Sequence, residues 1–284
     1  MKIFLDCLPC MLRQSLEAAR MTTDDFQLQE EIVEESIRIL SNYKQYRCSP
    51  DMVKAIHQTV KRRTSVSDPY SMVKERDLEA AKKVYPLLKQ FLKHKNNSLY
   101  WAMKIAATGN NMDSAIYHNI DVDVYIEKEL EKEFAVSDFE LFEKKLKTAK
   151  RILVLGDNMG ETIFDKVLLE CLTSYDVIYG VRDEPIINDA TVSDAYASGL
   201  GEFSEIISTG CSAPGVILED CNEAFLNIFN TADIIISKGQ GNFEALSEEK
   251  NNIFFLLKAK CPMISKRLGV DLNDYFFGIH NKGE

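Results

Sequence analysis

Two hydrophobic periods divide this 284-residue chain. In the first half apolar residues recur at helical spacing, so residues 10–20, 28–40, 52–62, 72–92 and 99–107 are predicted to form amphipathic helices. Asp68-Pro69 punctuates the series, the proline fixing a turn ahead of the longest helix. Residues 125–150 are charged and helix-prone and read as a connector. At Arg151 the pattern changes to short apolar runs bounded by polar turns. Strands are predicted at 152–155, 177–179, 205–208, 233–237 and 253–257, and segments 162–172, 192–199, 222–230 and 243–249 suit crossover helices. That alternation means βαβ units and a mainly parallel sheet covered on both faces. The expected organisation is an α/β chain: a mostly helical domain over residues 1–149, then an α/β domain over 150–284.

Polar residues fall where such a sheet binds ligands, beyond the carboxyl ends of its strands. The first strand runs into Gly156-Asp-Asn-Met-Gly-Glu161 and the second is followed by Asn188-Asp189. The third leads to the turn at 208–215, which holds Thr209, the fourth to Lys238-Gly-Gln-Gly-Asn242, and the fifth to Lys258-Ala-Lys-Cys-Pro262. A dinucleotide fold would place bare glycines in the first turn so that amides could meet a pyrophosphate. Here an aspartate occupies the approach, and a carboxylate repels phosphate unless a cation stands between them. Asp157 alone is equally readable as a helix N-cap; Asp189, arriving from the next strand, favours the ligand reading. Two carboxylates and the Asn158 amide oxygen make a hard oxygen site for Mg or Mn, tolerating Co or Ni.

The glycines bracketing Gln240 suit a phosphate cradle, with Lys238 and Lys260 offsetting charge. None of the four histidines lies in a strand-end motif, which argues against a His-rich catalytic zinc site and a Ser-His-Asp hydrolase. No Gly-x-x-x-x-Gly-Lys-Ser/Thr loop is present, so a P-loop NTPase is also disfavoured. Asp121-Val-Asp123 imitates the nucleophile motif of haloacid-dehalogenase-type phosphatases but lacks the apolar strand that should precede it. Cys7-Leu-Pro-Cys10 has no second Cys pair for a structural zinc and little room for a preceding strand, so reduced structural thiols or metal and redox work stay open.

Charge sharpens the picture. The net charge is −10, and from Arg151 onward 10 basic residues face 21 acidic ones, leaving the first 150 nearly balanced. An acidic second half argues against a nucleic-acid surface and fits either a solvated face or a cleft awaiting a cation. Seven scattered cysteines are no disulfide framework, and no apolar run is long enough to span a bilayer. An acid at position 6 comes too early for a signal peptide. These features predict a soluble cytoplasmic protein.

The ordered set of motifs resembles the damage-control phosphatase family, formerly known as domain of unknown function 89. The likeness runs from Asp6-Cys-Leu-Pro-Cys10 through Ala107-Thr-Gly-Asn110-Asn-Met-Asp113, Gly156-Asp-Asn-Met-Gly-Glu161, Asn188-Asp189 and the 208–215 turn to Lys238-Gly-Gln-Gly-Asn242. The Cys-x-x-Cys start is similar to the prokaryotic branch. The resemblance implies a Rossmann-like three-layer α/β/α second half and a divalent ion held by Asp157, Asn158 and Asp189. It also implies that Lys238, Gly239, Gly241, Asn242 and Lys260 meet substrate phosphate, with Asn110, Asp113 and Thr209 nearby. Asp189 or Glu161 would orient or deprotonate the attacking water. The substrate would be a small phosphorylated metabolite, such as a sugar phosphate or a damaged phosphometabolite. Where the eukaryotic branch carries Asp-Leu-Asn-Tyr-Arg, this chain has Gln240-Gly-Asn-Phe-Glu244, so that branch's substrate preference does not transfer. Two rival readings remain: a metal-dependent binding module without turnover, and a carboxyl methyltransferase using S-adenosylmethionine.

Overall fold

The computed structural model describes residues 1–109, 122–249 and 252–280. Helices α1 (Cys7–Thr22), α2 (Phe26–Ser41), α3 (Ser49–Thr64), α4 (Ser71–Lys93) and α5 (Ser98–Gly109) realise the predicted series, each extending its periodic stretch by less than a turn at either end. Asp25 caps α2 by accepting from the Gln27 and Leu28 amides, and Pro50 opens α3, where its missing N–H costs nothing.

The predicted connector is not helical throughout. It contains α6 (Val122–Glu131), strand β1 (Phe134–Ser137) and α7 (Phe139–Leu146). The five predicted strands appear as β2 (Arg151–Leu155), β3 (Asp176–Val181), β4 (Glu205–Ser208), β5 (Ile234–Lys238) and β6 (Ile253–Lys258). Between them run α8 (Thr162–Glu170), α9 (Val192–Ala197), α10 (Glu223–Thr231) and α11 (Gly239–Leu246). The chain then adds α12 (Pro262–Leu268) and a further strand, β7 (Tyr275–Ile279), neither of which the pattern predicted.

These strands form one sheet in the order β1-β7-β6-β5-β2-β3-β4, parallel throughout except where β7 runs antiparallel to β6. From β2 the chain winds outward through β3 and β4, then returns to place β5 on the other flank of β2. The switch point thus lies between β2 and β5, where ligands collect in open α/β sheets. Both faces of β2 are buried: Ile152 and Val154 join one apolar cluster, while Leu153 and Leu155 join another. The first cluster also holds Leu78, Leu88, Met103 and Ile105, so α4 and α5 share the core on one face of the sheet, α5 against β6. Helices α1, α2 and α3 carry two smaller cores of their own, one around Met52 and Ile56 and one around Ala18 and Ile32. No helix among the described residues is long and apolar enough to cross a membrane.

Candidate active site

A cavity of about 410 Å³ opens over the switch point. The sheet supplies Asp157, Asn158, Asn188, Asp189, Gln240, Gly241 and Lys260; α1 and α3 supply the facing wall, which includes Cys7, Cys10, Met11 and Val53. Backbone pairing draws the two acidic turns together. The Ala190 amide donates to the Asp157 carbonyl and the Met159 amide to the Asn188 carbonyl, each at 2.8 Å, so Asn158 and Asp189 face each other as an isolated antiparallel bridge. Residues 31 positions apart in the chain thus become neighbours at one pocket corner.

Arg182, just past β3, ties the corner electrostatically. Its Nε donates to Asp189 Oδ2 at 2.7 Å, and a terminal nitrogen lies 3.7 Å from Asp157 Oδ1. Burial raises both aspartates above the usual carboxylate range. The charges of Glu161 and Asp189 add to the effect at Asp157, while Arg182 opposes it at Asp189. Gly239 completes the corner with φ +76°, a conformation only glycine adopts easily, and a Cβ there would sit 1.9 Å from Asp157 Oδ2. At Gly241 a Cβ would strike the Pro214 carbonyl at 1.9 Å, so this turn requires glycine twice, both times for close approach.

Lys238 does not reach the cavity. Its fully buried ammonium donates to Asp165 Oδ1 at 2.6 Å and Glu161 Oε2 at 3.1 Å. Burial alone would lower its pKa, but the two carboxylate charges hold it above the ordinary lysine range. Glu161 spends its other oxygen on Asn158, accepting from Nδ2 at 2.8 Å. With both oxygens engaged and no exposed surface, it is badly placed to take a proton from water in the cavity. Tyr179 donates to Asp165 at 2.6 Å and ends the chain. The line Tyr179–Asp165–Lys238–Glu161–Asn158 therefore fixes the Asn158 amide from below and commits its nitrogen, so that Oδ1 is the end that could hold an ion.

The other expected site residues fall in three groups. Lys260 lies exposed at the rim, with Gln240 Oε1 accepting from its amide. Asn242 is a clasp: Oδ1 accepts from the Val216 amide, and Nδ2 donates to the Gly156 and Lys238 carbonyls. Thr209 is likewise buried, its hydroxyl accepting from the Cys211 amide, and it does not line the cavity, which the turn after β4 reaches only through Pro214. Asn110, Asp113 and Asp121 lie outside the described residues.

Sequence reasoning missed Arg182 and Asp165. Arg182 was legible as a strand-end residue had β3 been drawn to its full length. Asp165 stands one helical turn beyond Glu161, the spacing that puts two side chains on one face. The Cys7 and Cys10 thiols line the cavity, and all seven cysteines are free.

A charge count tests whether a divalent ion fits. Asp157, Glu161, Asp165 and Asp189 are buried together against two buried cations, Arg182 and Lys238. Among the described side chains this leaves a buried surplus of two negative charges, which a divalent cation would neutralise. No three His, Cys, Asp or Glu side chains among the described residues gather as a metal group. Two carboxylates and one amide instead leave the remaining positions to water and substrate, the habit of hard oxygen-loving ions. The donor set fits.

An α/β sheet with an acidic cavity at its switch point is the architecture of a protein that binds small molecules. The damage-control phosphatase ARMT1-like domain matches this chain over residues 3–276, and the chain belongs to that family. It is 35% identical to damage-control phosphatase PH1575 of Pyrococcus horikoshii over 95% of each chain. It is 31% identical to a damage-control phosphatase of Archaeoglobus fulgidus, covering 96% of this chain and 98% of that one. An uncharacterized protein of Methanocaldococcus jannaschii is 33% identical over 96% of this chain and 94% of its own. The crystal structure of the Pyrococcus horikoshii protein, described as a member of the DUF89 family, superposes with a TM-score of 0.91, covering 99% of this chain and all of that one. These relatives support a phosphatase-type function for the family.

Proposed function

We propose that the chain is a divalent-metal-dependent phosphatase that releases phosphate from small phosphorylated metabolites. The observation that carries this reading is the buried carboxylate surplus at the switch point, with Asp157, Asn158 and Asp189 locked side by side. A divalent ion bound there would offset phosphoryl charge and lower the pKa of a water ligand. The chain's own residues do the rest. Arg182 holds one oxygen of Asp189 and so fixes which oxygen faces the cavity. Gln240 and Gly241 lie in the first turn of α11, whose amides lack intrahelical acceptors and suit a phosphate. Lys260 supplies a mobile ammonium from the rim. Glu161 and Lys238 act from behind, as supports of Asn158. Asp189 remains the carboxylate placed to accept a proton at the cavity.

The test is a phosphate-release screen of phosphometabolites with Mg, Mn, Co and Ni, run beside Asp157→Asn. Metal-dependent release is expected from the unsubstituted chain. The variant should keep its fold, since asparagine keeps the shape of the side chain and removes only a charge that burial already disfavours, while its hydrolysis falls by orders of magnitude and its metal-induced rise in Tm disappears. Retained ligand with no release under any metal would point to a binding module instead. Normal release and normal metal response in the variant would end the assignment of Asp157 as a ligand.

A further inference from the structure

The connection between β3 and α9 contains a residue in the wrong conformation for its type. Ile187 has φ +45°. The other non-glycine residues with positive φ among those described are Ser65, Asn97 and Asn273, small polar types. A β-branched side chain in the left-handed region is a true outlier, and such strain persists only where surrounding structure over-determines it. The surroundings are visible. Ile187 packs against the apolar cluster around Met11, Met52 and Ile56, and also against the cluster around Ala18, Ile32 and Val60. It therefore plugs the seam between the two small cores of α1, α2 and α3 while lining the cavity. Lys61 of α3 reinforces the attachment by donating to the Pro185 carbonyl. Immediately after the plug, the Asn188 carbonyl accepts from Met159 and the Asp189 amide donates to Ile186, which sets Asp189 opposite Asn158.

We propose that Ile187 is a positioning residue, through which the helical layer sets the Asp189 carboxylate at the ion-binding corner. The inference rests on the metal-dependent reading above and adds a task for the helices: they hold the strained turn that presents one of the two carboxylates. Relaxing the turn should loosen the ion rather than disable the chemistry once the ion is bound.

The experiment uses the full chain with Ile187→Val, Ile187→Asn and Ile187→Gly. Valine keeps branching and most of the plug; asparagine tolerates the left-handed backbone but loses the apolar anchor; glycine loses the anchor and all strain. Three quantities are measured with Mn²⁺ alone as the probe ion: Tm without metal, the Mn²⁺-induced rise in Tm, and the Mn²⁺ concentration for half-maximal hydrolysis of p-nitrophenyl phosphate, alongside kcat at saturating metal. Valine should resemble the unsubstituted chain. Asparagine and glycine should need at least about tenfold more Mn²⁺, the usual scale for losing a group that orients a ligand, with kcat at saturation changed far less. Their Tm without metal should fall little, because lost packing is offset by released strain. An unchanged Mn²⁺ requirement in both variants, or a fall in metal-free Tm with no change in Mn²⁺ requirement, overturns the proposal. If glycine prevents folding, asparagine decides alone. No Mn²⁺ response in the unsubstituted chain would overturn the metal-dependent reading and this inference with it, whereas a normal response there and in the variants removes only the inference.

Discussion

Among the described residues, two of the buried charged clusters are unbalanced in opposite senses. At the ends of β2, β3 and β5, four carboxylates share Arg182 and Lys238. Near β1, β6 and β7, Lys104 and Lys258 are buried with one buried acid among the described residues, Glu129, which accepts from Lys258 at 2.8 Å and from the Tyr275 hydroxyl at 2.5 Å. The basic surplus is met by ring faces. The Lys104 ammonium makes no hydrogen bond and lies 4.9 Å from the Phe134 ring centre and 5.1 Å from that of Tyr275. Burial pushes its pKa down to about 8, so losing the proton is an accessible relief. Among the described residues no aromatic face is stacked on the acidic surplus, and its outer members Asp157 and Asp189 open onto a cavity. An excess charge shielded by aromatic faces is consistent with a structural group; an excess charge facing an open cavity asks for a ligand.

The largest stability effect expected from breaking this contrast comes from Lys238→Met. It strands Glu161 and Asp165 without their shared cation and should cost about 3–5 kcal/mol, the scale for removing one partner of a buried ion pair. Denaturant unfolding measures it. A lysine acting mainly on substrate phosphate would instead raise KM and leave stability nearly intact.

A smaller effect separates charged from neutral burial. His57 on α3 is almost wholly buried, its Nε2 makes no hydrogen bond, and burial lowers its pKa from 6.5 to about 4. Between those values the unfolded chain binds the extra proton and the folded chain does not. Stability is therefore whole above pH 6.5 and declines as pH falls toward 4, by up to about 3 kcal/mol from this group. Unfolding free energies across that range should fall less steeply in His57→Leu than in the unsubstituted chain. Equal slopes would show that the imidazole is hydrated in the folded state.

The smallest effect should come from the ring-shielded cluster. Lys104→Met removes a charge that makes no hydrogen bond and keeps the length of the side chain, so stability should change by less than about 1 kcal/mol in either direction. A loss as large as that from Lys238→Met, in the same unfolding assay, would erase the distinction between the two clusters.

Much of the fold was legible because hydrophobic period is a local property. Strands β2 through β6 announce themselves as short apolar runs, and α1 through α5 as helical stripes. Strand β1 escaped because it has four residues of mixed burial inside a charged stretch. Strand β7, Tyr-Phe-Phe-Gly-Ile, has an apolar run of its own and escaped because it departs from the parallel winding, running antiparallel to β6. The same division runs through the site. That Asp157, Asn158 and Asp189 would come together could be read from the sequence, since they follow strand ends and carry side-chain oxygens. Arg182 and Asp165 could not be weighed until their partners were known.

By itself, then, the sequence determined the period of each element, the parallel winding, and the acidic strand ends facing one edge. These follow from backbone geometry and from the burial each side chain demands locally. Tertiary structure alone decided which polar end groups look into the cavity. Lys238 and Lys260 both follow apolar strands and read alike, yet one ammonium is buried beneath the site while the other lies at its rim. A strand turns successive side chains to opposite faces, and the fate of Lys238 depended on Asp165 of α8 and Glu161, at that helix's N-cap, meeting the face it turned toward.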